Sequence, residues 1–283
     1  MAGYDDIYYR SSDGLELYAR DYTHRSPKAT LLCLHGLTRN SADFARLCEH
    51  LNDDYRLIAV DQRGRGLSAS DPDPANYNPQ VYVRDMLTLL DQLQLERVTA
   101  IGTSMGGVIS MALAATQARR LAAVVLNDIG PEIDPAGIAR IRGYVGKLPP
   151  VADWDGAAAQ VRATNEVAFP DYGADDWLEF ARNVYREDTK GVPVPAYDPA
   201  IAQSLSAARA TVDMWPLFDC LQDARVMVIR GATSDILAPA CVAEMRRRRP
   251  DLLSIEIPRR GHAPMLDEAA AIAGIRQFLD AAD

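Results

Sequence analysis

Gly102-Thr103-Ser104-Met105-Gly106-Gly107 has the spacing G-x-S-x-G, directly after the apolar run 98–101 and ahead of a helical pattern. A strand that turns sharply into a helix holds the corner residue in strained backbone, and small neighbours let strand and helix approach. A serine at that corner projects its hydroxyl from the turn at the positive end of the helix, where a nucleophile for acyl transfer is needed. Serine needs a base to take its proton. Of the four histidines, His262 in Gly261-His262-Ala263-Pro264 follows the apolar run 253–257, so its loop lies at the carboxyl edge of a sheet, within reach of Ser104. His24 precedes Pro27 in a loop, His35 adjoins a strand end, and His50 sits in a solvated helical pattern.

The imidazole in turn needs a carboxylate to orient it. Asp235 is assigned that role, because Arg230-Gly231-Ala232-Thr233-Ser234-Asp235 follows the apolar run 226–229 and the chain order is Ser, Asp, His. Its rival is Asp128, in Asn127-Asp128-Ile129-Gly130 after the run ending at Leu126. A structural reading of Asp128 is a loop cap bonded to backbone. Donors for the developing oxyanion are the N–H groups of Leu37, in His35-Gly36-Leu37-Thr38, and of Met105 behind the nucleophile.

The elements that must carry these residues follow from hydrophobic patterning. Residues 7–10 and 15–21 alternate apolar with polar about Ser11-Ser12-Asp13-Gly14, which predicts an antiparallel hairpin. Runs 29–34, 56–60, 97–101 and 121–126 are short and nearly continuous in apolar residues, as in buried parallel strands. Helical patterns at 42–51, 82–93 and 105–119 lie between them, so the class is α/β. From 134 to 216 the alternation stops. That stretch has helix-length patterns, proline breaks, no convincing strand and all three tryptophans, and then strand and helix patterns resume at 226–230, 241–248, 253–257 and 269–279. The expected organisation is a core of 1–133 and 217–283, with 134–216 inserted as a helical cap.

Composition narrows the partners. With 283 residues the chain has length for one large domain that buries roughly three quarters of its unfolded surface. Thirty basic against thirty-nine acidic residues give a net charge of −9, which disfavours nucleic acid. The basic run at 246–249 reads as a helix end before Pro250. Cys33, Cys48, Cys220 and Cys241 show no metal or disulfide spacing, so neither metal nor cofactor is expected. The first residues lack a leader pattern and no run of about eighteen apolar residues occurs, which makes a cytoplasmic protein without membrane contact the expectation. A small-molecule ester is the expected partner, and a homodimer stays open.

Taken together, the Ser104 corner, the His35-Gly36 loop, the strand-end Asp235 and Gly261-His262 resemble the α/β-hydrolase fold family over essentially the whole chain. Asp61-Gln62-Arg63-Gly64-Arg65-Gly66-Leu67-Ser68 is similar to that family's D-x-R-G-x-G-x-S loop, which shapes the core and the site entrance. The resemblance implies a mostly parallel sheet with helices on both faces and a helical cap inserted after the sixth strand. It also implies a triad of Ser104, Asp235 and His262 and no cofactor.

Ser104 at the elbow separates the chain from dehalogenases and epoxide hydrolases, which carry aspartate there. Ala263 after His262 differs from the Trp common in carbon–carbon bond hydrolases with a similar Ser-Met-Gly-Gly elbow. The expected activity is hydrolysis of a small to medium, largely apolar carboxylic ester or lactone through an acyl-enzyme. The alternatives are a carbon–carbon hydrolase of the meta-cleavage type, a cofactor-free haloperoxidase or perhydrolase, and a ligand-binding receptor on the same fold. His35, Gly36 and Arg39, with Trp154 and Trp177 of the aromatic-rich cap, are the expected pocket walls. Against this, Arg39 reads as a solvated surface side chain and most of the aromatic rings as the cap's own core.

Overall fold

Strands that lack an alternating pattern must be covered on both faces, and the computed structural model, which describes residues 3–203 and 213–281, shows how this is done. The hairpin β1 (Asp5–Arg10) and β2 (Glu16–Tyr22) opens the sheet. Then come β3 (Thr30–Leu34), β4 (Arg56–Asp61), β5 (Val98–Thr103), β6 (Leu121–Asn127), β9 (Arg225–Gly231) and β10 (Leu253–Ile257). The order across the eight strands is β1-β2-β4-β3-β5-β6-β9-β10. β2 runs antiparallel to β1 and β4, and the rest are parallel.

Successive side chains leave a strand on opposite faces, and the cores divide accordingly. Leu32, Leu34, Ile58, Val60, Ala100, Val124, Leu126 and Val228 pack on one face under α2 (Pro79–Gln92) and α3 (Met105–Gln117). Leu31, Cys33, Leu57, Ala59, Ile101, Val125, Met227 and Ile229 pack on the other, under α1 (Ala45–Leu51) and α9 (Ala269–Asp280). The helix expected from Tyr82 starts at Pro79 instead. The Asn78 side chain accepts the Val81 N–H at 3.0 Å, and proline at the first position sacrifices only an N–H that would be unpaired anyway.

Between β6 and β9 the chain leaves the main sheet. α4 (Pro135–Tyr144), α5 (Trp154–Asn165) and α6 (Ala174–Val184) follow in order, each preceded by Asp134, Asp153 or Gly173 at its cap position. Ala157, Val161, Phe169, Trp177, Phe180 and Ala181 form a separate apolar cluster there. The expectation of no strand in this stretch needs correction: β7 (Tyr185–Glu187) pairs antiparallel with β8 (Pro193–Pro195). Three-residue strands, one bounded by two prolines, fall below what periodicity can register. Part of the expected cap, 204–212, lies outside the described residues. α7 (Trp215–Asp219) packs Trp215 and Phe218 into the larger core, and α8 (Pro239–Arg248) joins β9 to β10. No helix among the described residues is long and apolar enough to cross a membrane.

Candidate active site

Ser104 sits at the corner between β5 and α3 with φ 51° and ψ −113°, a left-handed backbone that is uncommon for a residue with a side chain. Its surroundings hold it there. The Ser104 N–H donates to Asn127 O of the neighbouring strand at 2.9 Å, and Ser104 O accepts from Gly107 N–H and Val108 N–H. A methyl group on Gly102 would overlap the Gly106 backbone, and one on Gly106 would overlap the Leu34 backbone. The two glycines are therefore what let α3 pack so closely on β5 and β3.

His262 lies in the loop after β10. Asn127 Nδ2 donates to Pro264 O at 2.8 Å, and Gly261 N–H donates to Ala168 O at 2.9 Å, so that loop is tied to both β6 and the helical excursion. The Ser104 hydroxyl donates to His262 Nε2 across 2.9 Å, and His262 Nδ1 donates to Asp128 Oδ2 across 2.8 Å. An ionised carboxylate only accepts, which places the imidazole proton on Nδ1 and leaves Nε2 free to accept from serine.

The carboxylate against His262 is thus Asp128, and the assignment of Asp235 is corrected. Asp128 stands one residue past β6, fully buried, with φ 55°. Its N–H donates to Ile229 O at 2.7 Å, its Oδ1 accepts Gly231 N–H at 2.8 Å, and its Oδ2 also accepts the Ser234 hydroxyl at 2.6 Å. Asp235, the next residue after Ser234, faces α4. There Arg140 Nε and Nη2 donate to its two oxygens at 2.6 and 2.9 Å. Burial acts to raise the Asp235 carboxyl, and the Arg140 guanidinium outweighs it, so the group stands below its usual range. Both aspartates follow a parallel strand and precede His262, so chain order could not separate them. The carboxylate that meets His262 lies at the end of β6, the strand next to the one that leads into Ser104.

The loop that should hold the oxyanion is braced from beneath. His35 is fully buried, with Nδ1 donating to Gly36 O at 2.6 Å and Nε2 accepting Gln62 N–H at 3.0 Å. Burial drives its pKa down to about 3, so it is neutral and structural rather than a pocket wall. Arg65 Nε donates to Leu37 O at 2.9 Å and Arg65 Nη1 to the Tyr82 hydroxyl at 2.8 Å. Asp61 accepts Ser41 N–H at 2.6 Å and Leu67 N–H at 2.8 Å. The Asp61–Ser68 motif thus works as a bracket for residues 35–41. Leu37 and Ser104 line one cavity, and Met105, first in α3, has an N–H with no partner inside its helix.

That cavity, of about 100 Å³, lies between the sheet edge and the helical excursion. Its walls combine Gly36, Arg39, Ser104 and His262 from the core with Tyr144, Val161, Thr164, Phe180 and Tyr197 from the excursion. Polar and apolar groups share it.

The sequence model of the Alpha/beta hydrolase family matches residues 31–275. The chain belongs to that family. Among its relatives, a 3-hydroxybutyrate-oligomer hydrolase of Cupriavidus necator is 34% identical over 263 residues, covering 89% of this chain and 88% of that protein. A 2-(acetamidomethylene)succinate hydrolase of Mesorhizobium japonicum is 28% identical over 252 residues, with 89% and 88% covered. The crystal structure of an alpha/beta hydrolase from Novosphingobium aromaticivorans superposes with a TM-score of 0.93 at 43% identity, covering 99% of both chains.

Within this hydrolase the expected pocket residues divide. Gly36 and Arg39 line the cavity, whereas His35, Trp154 and Trp177 do not. Trp177 is buried in the apolar cluster of the excursion, edge-on to Phe169 and stacked on Phe180. Trp154 donates its Nε1–H to Glu187 at 3.0 Å and lies under Arg182. Aromatic composition says how much ring area is present, not which way it faces, and a segment this small needs its largest rings for its own core. Arg39, read also as a solvated surface arginine, has only 17% of its side chain exposed. Tyr144, Tyr185, Tyr197, Thr164 and Asn165 of the cavity wall were not anticipated. No motif marks them, since only the path of the excursion brings them over the serine.

Proposed function

We propose that this protein is a serine hydrolase that cleaves a short carboxylic ester through an acyl-enzyme, with Ser104, His262 and Asp128 as its triad. The observation that carries the reading is the unbroken chain from the Ser104 hydroxyl through His262 to buried Asp128, at 2.9 and 2.8 Å. Ser104 Oγ attacks the ester carbonyl carbon as its proton passes to His262 Nε2. Asp128 stabilises the imidazolium that results and keeps Nδ1 as the donor. The carbonyl oxygen becomes an oxyanion facing the N–H groups of Leu37 and Met105, each such donor contributing about 2.7 to 4 kcal/mol in related sites. As the intermediate collapses, the carbon–oxygen bond to the alcohol breaks and the leaving oxygen takes the proton from His262. Water, deprotonated by His262, then attacks the acyl carbon and frees Ser104. In a lactone the alcohol stays tethered to the acyl group, and the same steps open the ring.

The mixed cavity walls favour a substrate with a polar group besides the ester, rather than the largely apolar molecule expected from composition. The helical excursion acts as a cap that keeps bulk water from the acyl-enzyme. The Cupriavidus necator relative, by its name a hydrolase of hydroxyacid oligomers, supports the ester bond as the target. A fluorophosphonate probe should label wild-type protein and leave Ser104→Ala unlabelled, with hydrolysis of p-nitrophenyl butyrate lost in that variant. A folded wild-type protein that resists the probe, or a Ser104→Ala variant that still turns over, would overturn the proposal.

A further inference from the structure

We infer that Arg39 recognises a free carboxylate on the substrate, which makes the enzyme selective for esters bearing a carboxylate three or four bonds from the scissile carbonyl carbon. The inference rests on the serine-hydrolase reading and adds the substrate class to it.

Three features of Arg39 carry it. First, it stands beside the nucleophile. Arg39 N–H donates to Gly36 O at 3.1 Å, folding the loop back on itself. A β-carbon built on Gly36 would lie 3.5 Å from Arg39 Cγ and 3.9 Å from Ser104 Cβ, so the arginine stem and the serine flank the same glycine. Second, the guanidinium is held rigidly by its inner end. Nε donates to Asp43, 2.9 Å from Oδ1 and 2.7 Å from Oδ2, and the group lies 4.1 Å over the centre of the Phe180 ring. Third, its outer end lacks an anion. Nη2 meets the Met265 sulfur at 3.0 Å, and a thioether is a weak acceptor for a charged donor. Among the described residues, Arg39 is the one guanidinium or ammonium group on the cavity wall, and Asp43 is the carboxylate it pairs with.

A guanidinium fixed at Nε presents its terminal N–H groups as a fork, the geometry that carboxylates fit in a two-pronged manner. Asp43 and Phe180 order that fork in advance, which lowers the cost of binding. A carboxylate separated from the reacting carbon by a two- or three-atom chain spans about 4 to 5 Å. That suits an anchor beside the nucleophile and excludes one across the cavity. The carboxylate can belong to the alcohol side, as in a 3-acyloxy acid, or to the acyl side, as in a half-ester of a short diacid.

The test compares acid and neutral forms of the same ester. Values of kcat/KM are measured for 3-acetoxybutanoate against its methyl ester, and for monoethyl succinate against ethyl methyl succinate, with wild type and Arg39→Met. Wild type should prefer the acid by about tenfold or more in at least one pair, the size expected of a charged hydrogen bond, and Arg39→Met should remove that preference. The pair that responds identifies the side carrying the carboxylate. Equal rates for acid and neutral ester in wild type, or a preference that survives in Arg39→Met, overturns the inference. A purely structural Arg39–Asp43 pair would lower both rates together and leave their ratio intact. Should Arg39→Met fail to fold, wild type alone decides. Butanoate should compete with p-nitrophenyl acetate at least about tenfold more strongly than butanamide, and equal inhibition overturns the inference. Labelling of Ser104 by the fluorophosphonate probe tests the underlying reading separately: a labelled enzyme indifferent to the carboxylate refutes the role of Arg39 alone.

Discussion

Replacing Asp128 with Asn changes one atom in the site, and its consequence can be worked out from the hydrogen bonds. Three donors converge on the carboxylate: Gly231 N–H on Oδ1, and the Ser234 hydroxyl and His262 Nδ1–H on Oδ2. An amide offers one oxygen and one NH2. Placing the NH2 toward Gly231 sets two donors against each other in a fully buried site, at a cost of about 1 to 3 kcal/mol. The favoured placement therefore turns the NH2 toward Ser234 and His262. The Ser234 oxygen already accepts the Ile236 and Leu237 N–H groups and must release one of them to accept the amide, and the imidazole can accept only by moving its proton from Nδ1 to Nε2. That proton then faces Ser104 Oγ, and the base is lost. Loss of the correct tautomer in a Ser-His-Asp site costs about 10⁴ in kcat, or about 5.4 kcal/mol at 1.36 per decade.

Asp235→Asn is the control. Its pair with Arg140 is about one third exposed, the amide oxygen still accepts from the guanidinium, and such a pair contributes at most about 1 kcal/mol of stability. Activity should stay within about threefold of wild type. The assay is kcat/KM for p-nitrophenyl butyrate, with circular dichroism to establish that each variant is folded. Asp235→Asn losing more than Asp128→Asn, or the two losing equally, would refute the placement of the acid after β6.

Two further outcomes test how the site is supported. Arg63, with 1% of its side chain exposed, pairs with Asp71 and Asp85 in the interior and with the more exposed Asp13, so Arg63→Met should destabilise by about 3 to 5 kcal/mol in guanidinium unfolding, because it strands two carboxylates. A loss below about 1 kcal/mol would mean the charges are already solvated. His35 has its pKa depressed by burial to about 3, against about 6.5 in the unfolded chain, so its contribution is complete above pH 6.5 and falls as pH drops toward 3. Between pH 7 and pH 5 wild type should therefore lose about 2 kcal/mol more stability than His35→Asn, and parallel losses would show that His35 is not held neutral.

The features legible in the sequence are those that one local constraint dictates. β3, β4, β5 and β6 could be read because burial on both faces leaves little room for charge, and the Ser104 corner because a strand-to-helix turn demands small residues at 102 and 106. The pairing of β7 with β8 could not, since three residues carry no period. The position of Arg39 could be read only as a choice between solvent and substrate. What decides it is Phe180 on α6, which supplies the ring beneath the guanidinium and lies more than a hundred residues away in the chain.

The choice between the two aspartates shows why local context was insufficient. Across the sheet the order is β5, β6, β9, β10, so the imidazole after β10 must reach over two strands to meet the serine after β5. A carboxylate after either intervening strand satisfies the chain order. Asp128 has the shorter path, and its left-handed backbone lets its N–H bind β9 at Ile229 while its side chain turns under His262. The loop after β9 is then available for two tasks at adjacent residues. Ser234 donates to the Asp128 carboxylate and accepts the N–H groups of Ile236 and Leu237, while Asp235 grips Arg140 on the first helix of the excursion. The loop turns sharply at this point, because the Ser234 oxygen accepts N–H groups two and three residues ahead, and the turn leaves Asp235 on the side of α4. Asp235 is thereby kept from the place at His262 that Asp128 fills, while Ser234 supports Asp128 there.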